Sequence, residues 1–142
     1  MKKRMLAFVM TICMLMPFAK AVDITPYRAS DYLVGYGVDL TAVGDGEMRI
    51  TYDVDGKGPM KQIGVEALYI DYYDNGAWWP YDTLLGIKNP DFYAYDALGH
   101  FGYAYFNGKP GVKYRVTLKA YAQGYDGGFD TGNVTSYEKE CI

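Results

Sequence analysis

Few residues of this chain have both the type and the spacing that catalysis or metal binding requires. His100 is the only histidine, and Ser30 and Ser136 are the only serines. A Ser-His-Asp arrangement is therefore barely available, and a zinc site lacks a second imidazole or a pair of thiols. Glu47 and Glu66 could supply a pair of carboxylates for acid–base chemistry, but nothing in their spacing favours that role. We predict a non-enzymatic protein with no catalytic residue and no cofactor.

Two aspartate motifs have the start of a functional pattern but lack the residues that complete it. Asp130-Thr131-Gly132 is the tripeptide of aspartic proteases, whose mechanism needs two such carboxylates sharing one proton. Asp53-Val54-Asp55-Gly56 begins like an EF-hand calcium loop, but Lys57 and Gly64 occupy ligand positions. Both segments are interpreted as turns, and no metal is predicted. An irregular calcium site stays open as an alternative in the glycine-rich loop that holds Asp126 and Asp130.

The most informative feature is an aromatic surplus, with 16 tyrosines and two tryptophans. Exposed Tyr and Trp are stiff and amphipathic, which suits binding, and their flat rings suit stacking on sugars. The alternative is that tyrosine is simply a good strand former that tolerates half-burial. Outward positions are predicted for Tyr69, Tyr73, Trp79, Tyr81, Tyr93, Tyr95, Tyr121 and Tyr125. Within the stretches 75–81 and 91–95, the candidate ligand-binding residues are Trp79, Tyr81, Tyr93 and Tyr95.

The first 21 residues have the pattern of a secretory signal peptide. A basic start is followed by an apolar run, Met5 to Phe18, that is shorter than the roughly 20 residues of a membrane span. Cleavage is predicted after Ala21, which leaves 10 basic and 17 acidic residues and a net charge of −7. We therefore expect a secreted, extracellular protein with no membrane span in its mature chain. The acidic charge and the lack of a basic tract argue against nucleic acid as a partner.

Cysteine usage gives no internal disulfide. Cys13 is predicted to leave with the signal peptide, so Cys141 remains alone near the end of the chain. An unpaired cysteine in an exported protein indicates either a free thiol or a bridge between chains. Both readings stay open: an unpaired thiol on a frayed tail, or a disulfide-linked dimer through Cys141.

Period-two alternation of apolar and polar residues runs through most of the chain after a flexible leader at residues 22–30. The clearest cases are 48–54 and 112–120, in which every second side chain is apolar. Asp55 to Pro59 is predicted to end the first of these strands. Asn75-Gly76 is predicted to form a tight hairpin turn. Residues 91–100 could hold a turn of helix. About seven strands at spacings of 10 to 20 residues result. We predict a single antiparallel, two-layer β-sandwich over residues 31–142.

Two resemblances follow from these patterns. The segment Pro110 to Leu118 is similar to the tyrosine-corner strand of immunoglobulin-like and fibronectin type III sandwiches, which implies that Tyr114 bonds back to the upstream backbone. Trp78 would then be a core aromatic residue. Residues 48–56, 75–78 and 111–114 also resemble those of small secreted bacterial proteins of unknown function. That resemblance implies an exported, one-domain sandwich with no known activity.

The sequence thus favours a secreted, non-enzymatic β-sandwich that binds an extracellular protein or glycan through exposed aromatic residues. A carbohydrate-binding module that uses Trp79, Tyr81 and Tyr95 as a platform is the first alternative. A hydrolase is the weakest of the three.

Overall fold

The structure is a computed structural model, and it describes residues 30–142. The predicted signal peptide, Cys13 and residues 22–29 of the predicted leader lie outside this range. Among residues 30–142, no helix is long and apolar enough to cross a membrane.

Seven strands make up most of the described chain. They are β1 (Leu33–Gly44), β2 (Glu47–Asp74), β3 (Ala77–Leu85), β4 (Tyr93–Asn107), β5 (Lys113–Gln123), β6 (Phe129–Thr135) and β7 (Lys139–Glu140). Two 3₁₀ helices, Gly86–Lys88 and Pro90–Phe92, connect β3 to β4. Every strand pairing is antiparallel. The prediction of an all-β chain with about seven antiparallel strands is therefore confirmed.

All seven strands belong to one hydrogen-bonded sheet. β2 pairs with β1, β3, β4 and β5, whereas β6 and β7 pair with β5. The first half of β2, up to Asp55, lies between β1 and β4. From Gln62 onwards, β2 instead has β5 on one side and first β4, then β3, on the other. Because one long strand serves both halves, the sheet curls around its own buried face. Two separate layers, as in the predicted sandwich, are not shown.

The predicted break at Asp55 to Pro59 does not occur, because β2 remains extended through it. The register against β4 shifts there: Asp55 lies opposite Gly99, and Met60 lies opposite Ala97. The extra residues of β2 are accommodated as an irregularity in the pairing, so the chain bends without ending the strand. Two predicted strands are therefore one strand of 28 residues.

The Asn75-Gly76 turn forms as predicted. Both residues have positive φ angles, 49° and 80°, and Asp74 lies opposite Ala77 across the turn. From here β3, the two 3₁₀ helices and β4 run back along the whole length of β2. The first residues after the helices, Tyr93 to Tyr95, meet β2 at 62–64. The predicted helical turn within 91–100 lies slightly earlier, and most of that segment is strand.

The core lies on the inward face of this curled sheet. Alternation places Met48, Ile50, Tyr52 and Val54 inward from the first half of β2, and residues of β5 such as Val116 and Leu118 inward from the facing side. All six are at most 1% exposed. Burying a large apolar side chain contributes roughly 1.5–3 kcal/mol, so this face provides the main driving force for folding.

Near the C-terminus, Tyr114 and Cys141 pack together at one end of the core. The hydroxyl of Tyr114 accepts a hydrogen bond from the backbone nitrogen of Lys109 at 2.8 Å, which is the geometry of a tyrosine corner. Cys141 packs beside it and is 1% exposed, with its Sγ 3.5 Å from the carbonyl oxygen of Gly46. Burial raises the pKa of the Cys141 thiol. The expectation of a frayed tail is therefore wrong, and a bridge between chains would require this segment to detach.

Candidate functional site

The strongest candidate for a site is an open pocket on the outward face of the sheet, where β2, β4 and β5 meet. We call it the tyrosine pocket. Its volume is about 720 Å³. The lining residues are Gln62, Glu66, Ala67, Tyr69, Leu85, Gly86, Ile87, Pro90, Tyr93, Tyr95, Lys119 and Tyr121. Four tyrosines therefore surround one carboxylate, one ammonium group and one amide.

A bulge in β2 places the charged pair in the tyrosine pocket. Val65 lies opposite Ala120 and Ala67 lies opposite Lys119, so Glu66 is an extra residue on its strand. The Glu66 carboxylate lies 2.6 Å from Lys119 Nζ. The hydrogen bond and the charge of Glu66 raise the pKa of Lys119. The two charges compensate each other, so this part of the pocket is polar but close to neutral.

Two tyrosines form a wall above this ion pair. The rings of Tyr93 and Tyr121 meet edge to face, with centroids 6.0 Å apart, and Tyr121 also contacts Phe129 of β6. Both tyrosines are half-buried. Burial first, and then the negative charge of Glu66, raises the pKa of each hydroxyl. These hydroxyls therefore stay protonated at neutral pH and can donate hydrogen bonds.

The tyrosine pocket requires a residue without a side chain at position 86. A Cβ atom on Gly86 would collide with the carbonyl oxygen of Val65 and with the ring of Tyr93. Gly86 begins the first 3₁₀ helix, so the close approach brings the β3–β4 connection against β2. The rim next to it is exposed: Tyr95 is 63% and Ile87 is 86% accessible.

The structure brings only two of the four predicted ligand-binding residues into this pocket. Tyr93 and Tyr95 line it, whereas Trp79 and Tyr81 do not. Trp79 is 51% exposed, and its indole nitrogen donates to the carbonyl oxygen of Asp74. The structure does not bring Trp79 and Tyr95 together, because Trp79 lies opposite Tyr72 of β2, whereas Tyr95 lies opposite Gln62.

Tyr81 is 38% exposed, as predicted, but its ring also packs against neighbouring aromatic residues. Its ring contacts those of Tyr72, Phe106 and Tyr114, and its hydroxyl donates to the carbonyl oxygen of Asn107 at 2.5 Å. The cause is a register shift between β2 and β3, in which Asp71 faces Pro80 and Ile70 faces Asp82. Tyr81 is thus unpaired in the ladder and turns towards the seam between β3 and β4.

Trp78 is also placed differently from the prediction. It lies opposite Tyr73 on the outward face, half-buried, and is not part of the core. The Arg115 guanidinium lies 4.4 Å from the centre of its ring, and Asp71 pairs with Arg115 at 3.2 Å. Trp78 therefore forms a surface cluster in which a cation covers an aromatic face.

The two loop aspartates with a calcium alternative hold the start of β1 instead. Asp126 accepts hydrogen bonds from the hydroxyl of Tyr32, and Asp130 accepts them from Ser30 Oγ at 2.5 Å and from the backbone nitrogen of Tyr32. Hydrogen bonding to Tyr32 and to Ser30, respectively, lowers the pKa of Asp126 and of Asp130. Within residues 30–142, no group of three or more His, Cys, Asp or Glu side chains could hold a metal ion.

Sequence reasoning missed a second set of exposed aromatic residues. Phe101, Tyr103 and Tyr105 alternate along β4 on its outward face and are 57%, 47% and 53% exposed. We call these three residues the β4 row. The alternation itself was visible in the sequence, but its direction was not, because aromatic residues occur on both faces, with Phe106 inward and Phe101 outward.

Comparison with known proteins gives no functional assignment. No known family profile matches the chain, and no curated protein matches it. A crystal structure of a protein from Archaeoglobus fulgidus is similar over 76% of this chain and 94% of its own, at 12% identity and a TM-score of 0.36. The function must therefore be inferred from the residues of this chain.

The groups that line the tyrosine pocket are suited to binding. Its carboxylate, Glu66, is already engaged by Lys119, and the only histidine, His100, is not among the lining residues. What the pocket offers is ring faces, tyrosine hydroxyls and the amide of Gln62. This combination suits a ligand with both apolar faces and hydroxyl or amide groups.

Proposed function

We propose that the protein is a secreted, non-enzymatic binding protein and that the tyrosine pocket is its ligand site. The observation that carries this proposal is the convergence of Tyr69, Tyr93, Tyr95 and Tyr121 around the Glu66–Lys119 pair. Most pockets that bind small ligands combine aromatic walls with a few fixed polar groups, which matches this lining. Secretion rests on the sequence pattern of residues 1–21 alone.

A neutral carbohydrate is the ligand class that we favour for this pocket. The Glu66 and Lys119 charges compensate each other, so the pocket offers no net charge that would select an ion. The half-buried hydroxyls of Tyr93 and Tyr121 stay protonated, and the ring of Tyr95 is 63% exposed at the rim. A sugar ring presents an apolar face for such an aromatic ring and hydroxyls for such donors. An extracellular protein partner is the second candidate, since exposed tyrosines also dominate protein interfaces.

A glycan array tests the proposal, with the wild-type protein, Tyr95→Ala and Trp79→Ala compared in parallel. We expect wild type and Trp79→Ala to bind the same neutral glycans, because Trp79 lies outside the pocket. Tyr95→Ala should weaken that binding by about tenfold or more, since it removes the exposed ring of the rim. Trp79→Ala is a matched control because it also removes a half-exposed aromatic ring, but one that lies outside the pocket.

The outcomes separate the ligand classes. An empty array eliminates carbohydrate, and capture of an extracellular protein by wild type but not by Tyr95→Ala would then assign the pocket to a protein partner. If neither assay shows binding that depends on Tyr95, the pocket is not a ligand site and the proposal fails.

A further inference from the structure

The C-terminal half of β4 has a free edge that lacks the usual protection against pairing with another strand. Among residues 30–142, β4 pairs with β2 and with no other strand. The same is true of β3, but β3 carries Pro80 and Asp82, which discourage further pairing. In contrast, residues 97–107 of β4 contain no proline and no Asp, Glu, Lys or Arg.

The β4 row lies beside this free edge. Phe101, Tyr103 and Tyr105 lie on one face, and each is about half exposed. A strand that pairs antiparallel with β4 would bring its own outward side chains directly opposite these rings. Aromatic residues that face each other across neighbouring strands stabilise the pairing, so the row favours an incoming strand that is itself aromatic at alternate positions.

A second copy of this chain meets that requirement by symmetry. Two copies of β4 that pair antiparallel about Tyr103 place Tyr103 opposite its counterpart and Phe101 opposite the Tyr105 of the other copy. Such a pairing is closed, because the same patch is used on both partners. It joins the two sheets into one and leaves no further edge of β4 to recruit a third copy.

Charge also favours self-pairing at this edge. The chain carries a net charge of −7 without its first 21 residues, so two copies repel each other over most of their surfaces. Residues 97–107 contain no charged side chain, so the segment itself adds no carboxylate to this repulsion. The Arg49 guanidinium of the neighbouring strand lies 5.3 Å from the centre of the Tyr103 ring. On the neighbouring strand, Arg49 lies opposite Tyr105 and Asp53 lies opposite Phe101, so both signs flank the row.

We propose that the protein forms a two-fold homodimer by antiparallel pairing of β4 edges, with the β4 row in the interface. This inference does not rest on the tyrosine pocket, which lies on another part of the outward surface. The dimer would continue the curled sheet from one protomer into its partner.

Sedimentation velocity over a concentration series tests the dimer, using wild type, Tyr105→Lys and Tyr137→Lys. Wild type should shift from monomer to dimer with concentration. Tyr105→Lys should weaken association by about tenfold or more, because it places a charge in the interface of both copies. Tyr137→Lys makes the same change at a 93% exposed tyrosine outside β4 and should associate like wild type. A monomer at every concentration, or equal weakening by both variants, overturns the proposal.

A crosslinking variant tests the register. In a Cys141→Ser background, Tyr103→Cys should form a disulfide-linked dimer in a mild redox buffer, since the two residues 103 face each other on the symmetry axis. Tyr137→Cys in the same background is the matched control and should stay monomeric. Crosslinking that is no faster for Tyr103→Cys than for Tyr137→Cys would exclude this pairing, even if either lysine variant folded poorly.

Discussion

The tyrosine pocket and the β4 row both expose aromatic rings, but they differ in shape and in charge. The pocket is concave, forms at a bulge and includes the Glu66–Lys119 pair. The β4 row follows a single strand at a free edge, in a segment without charged residues. A concave site with polar groups selects a small ligand, whereas an uncharged strand edge selects another strand. Exposure of aromatic residues alone therefore does not identify a function; the surrounding backbone does.

The largest expected effect is a loss of stability at Gly86, where the tyrosine pocket depends on close packing of the backbone. Gly86→Ala should lower the free energy of unfolding by about 2–3 kcal/mol, because the new methyl group collides with the Val65 carbonyl and the Tyr93 ring. Urea unfolding measures this change. Ligand binding should be lost as well, because Tyr93 must move.

The matched control for this change is Gly37→Ala, on β1. A Cβ atom at Gly37 meets nothing within 4 Å, so the free energy of unfolding should stay within about 0.5–1 kcal/mol of wild type or rise slightly. Equal losses from the two substitutions would show that the approach of the β3–β4 connection to β2 is not tight.

The next effect is on how the free energy of unfolding depends on pH, through Asp130 near the pocket. Asp130 follows Phe129, which contacts the pocket residue Tyr121. Hydrogen bonding lowers the folded-state pKa of Asp130 below its ordinary 3.8. Its contribution is therefore fully present above that value and is lost as the pH falls through the lowered folded-state pKa. Asp130→Asn should cost about 1 kcal/mol at pH 7, since solvent screens a half-buried carboxylate, and nothing at strongly acidic pH.

Urea unfolding of both proteins between pH 7 and pH 2 measures this difference. Glu140→Gln removes an exposed carboxylate elsewhere on the sheet and should track wild type throughout. A difference between wild type and Asp130→Asn that persists undiminished at pH 2 would mean that the charge of Asp130 has no part in holding Ser30 and Tyr32.

The smallest effect on stability should come from the ion pair in the pocket. Glu66→Gln should lower the pKa of Lys119 towards 10.5 and those of Tyr93 and Tyr121 towards 10.0, because the raising charge is removed. NMR titration of these three side chains measures the shifts. The free energy of unfolding should change little, because exposed ion pairs contribute little.

Glu138→Gln is the control for this experiment. It breaks the other lysine pair on β5, in which Glu138 lies 3.6 Å from Lys113, and it is remote from the pocket. The three pocket pKa values should be unchanged in this variant. If Glu66→Gln also leaves them unchanged, the carboxylate does not set the electrostatics of the tyrosine pocket.

Local patterns predicted the strands well because side-chain alternation reports burial directly. The inward set on β5, from Tyr114 to Ala122, and the Asn75-Gly76 turn follow from residue types alone. The continuity of β2 through Asp55 to Pro59 could not be predicted in this way. Glycine and proline favour a break, but pairing of Asp55 and Gly56 with β1 before the segment, and of Met60 with β4 after it, keeps the strand continuous. That stabilisation comes from residues far away in sequence.

The candidate site was predictable only in part for the same reason. Tyr93 and Tyr95 could be selected from the aromatic surplus, although the strand that carries them was not predicted there. Glu66 and Lys119 could not be joined to them, because their meeting depends on a bulge in β2 and on the register between β2 and β5. Tyr81 is exposed as predicted, but a register shift in β3 leaves it unpaired and sets its ring against that of Tyr114. No local pattern of residues reveals such a shift.

The 28-residue length of β2 ties the two surfaces together thermodynamically. β2 pairs with the part of β4 that carries the row and with the strands that build the pocket, so we expect the two halves of the sheet to unfold together. On that expectation, a ligand held in the pocket raises the melting temperature of the whole molecule, the distant strand edge included.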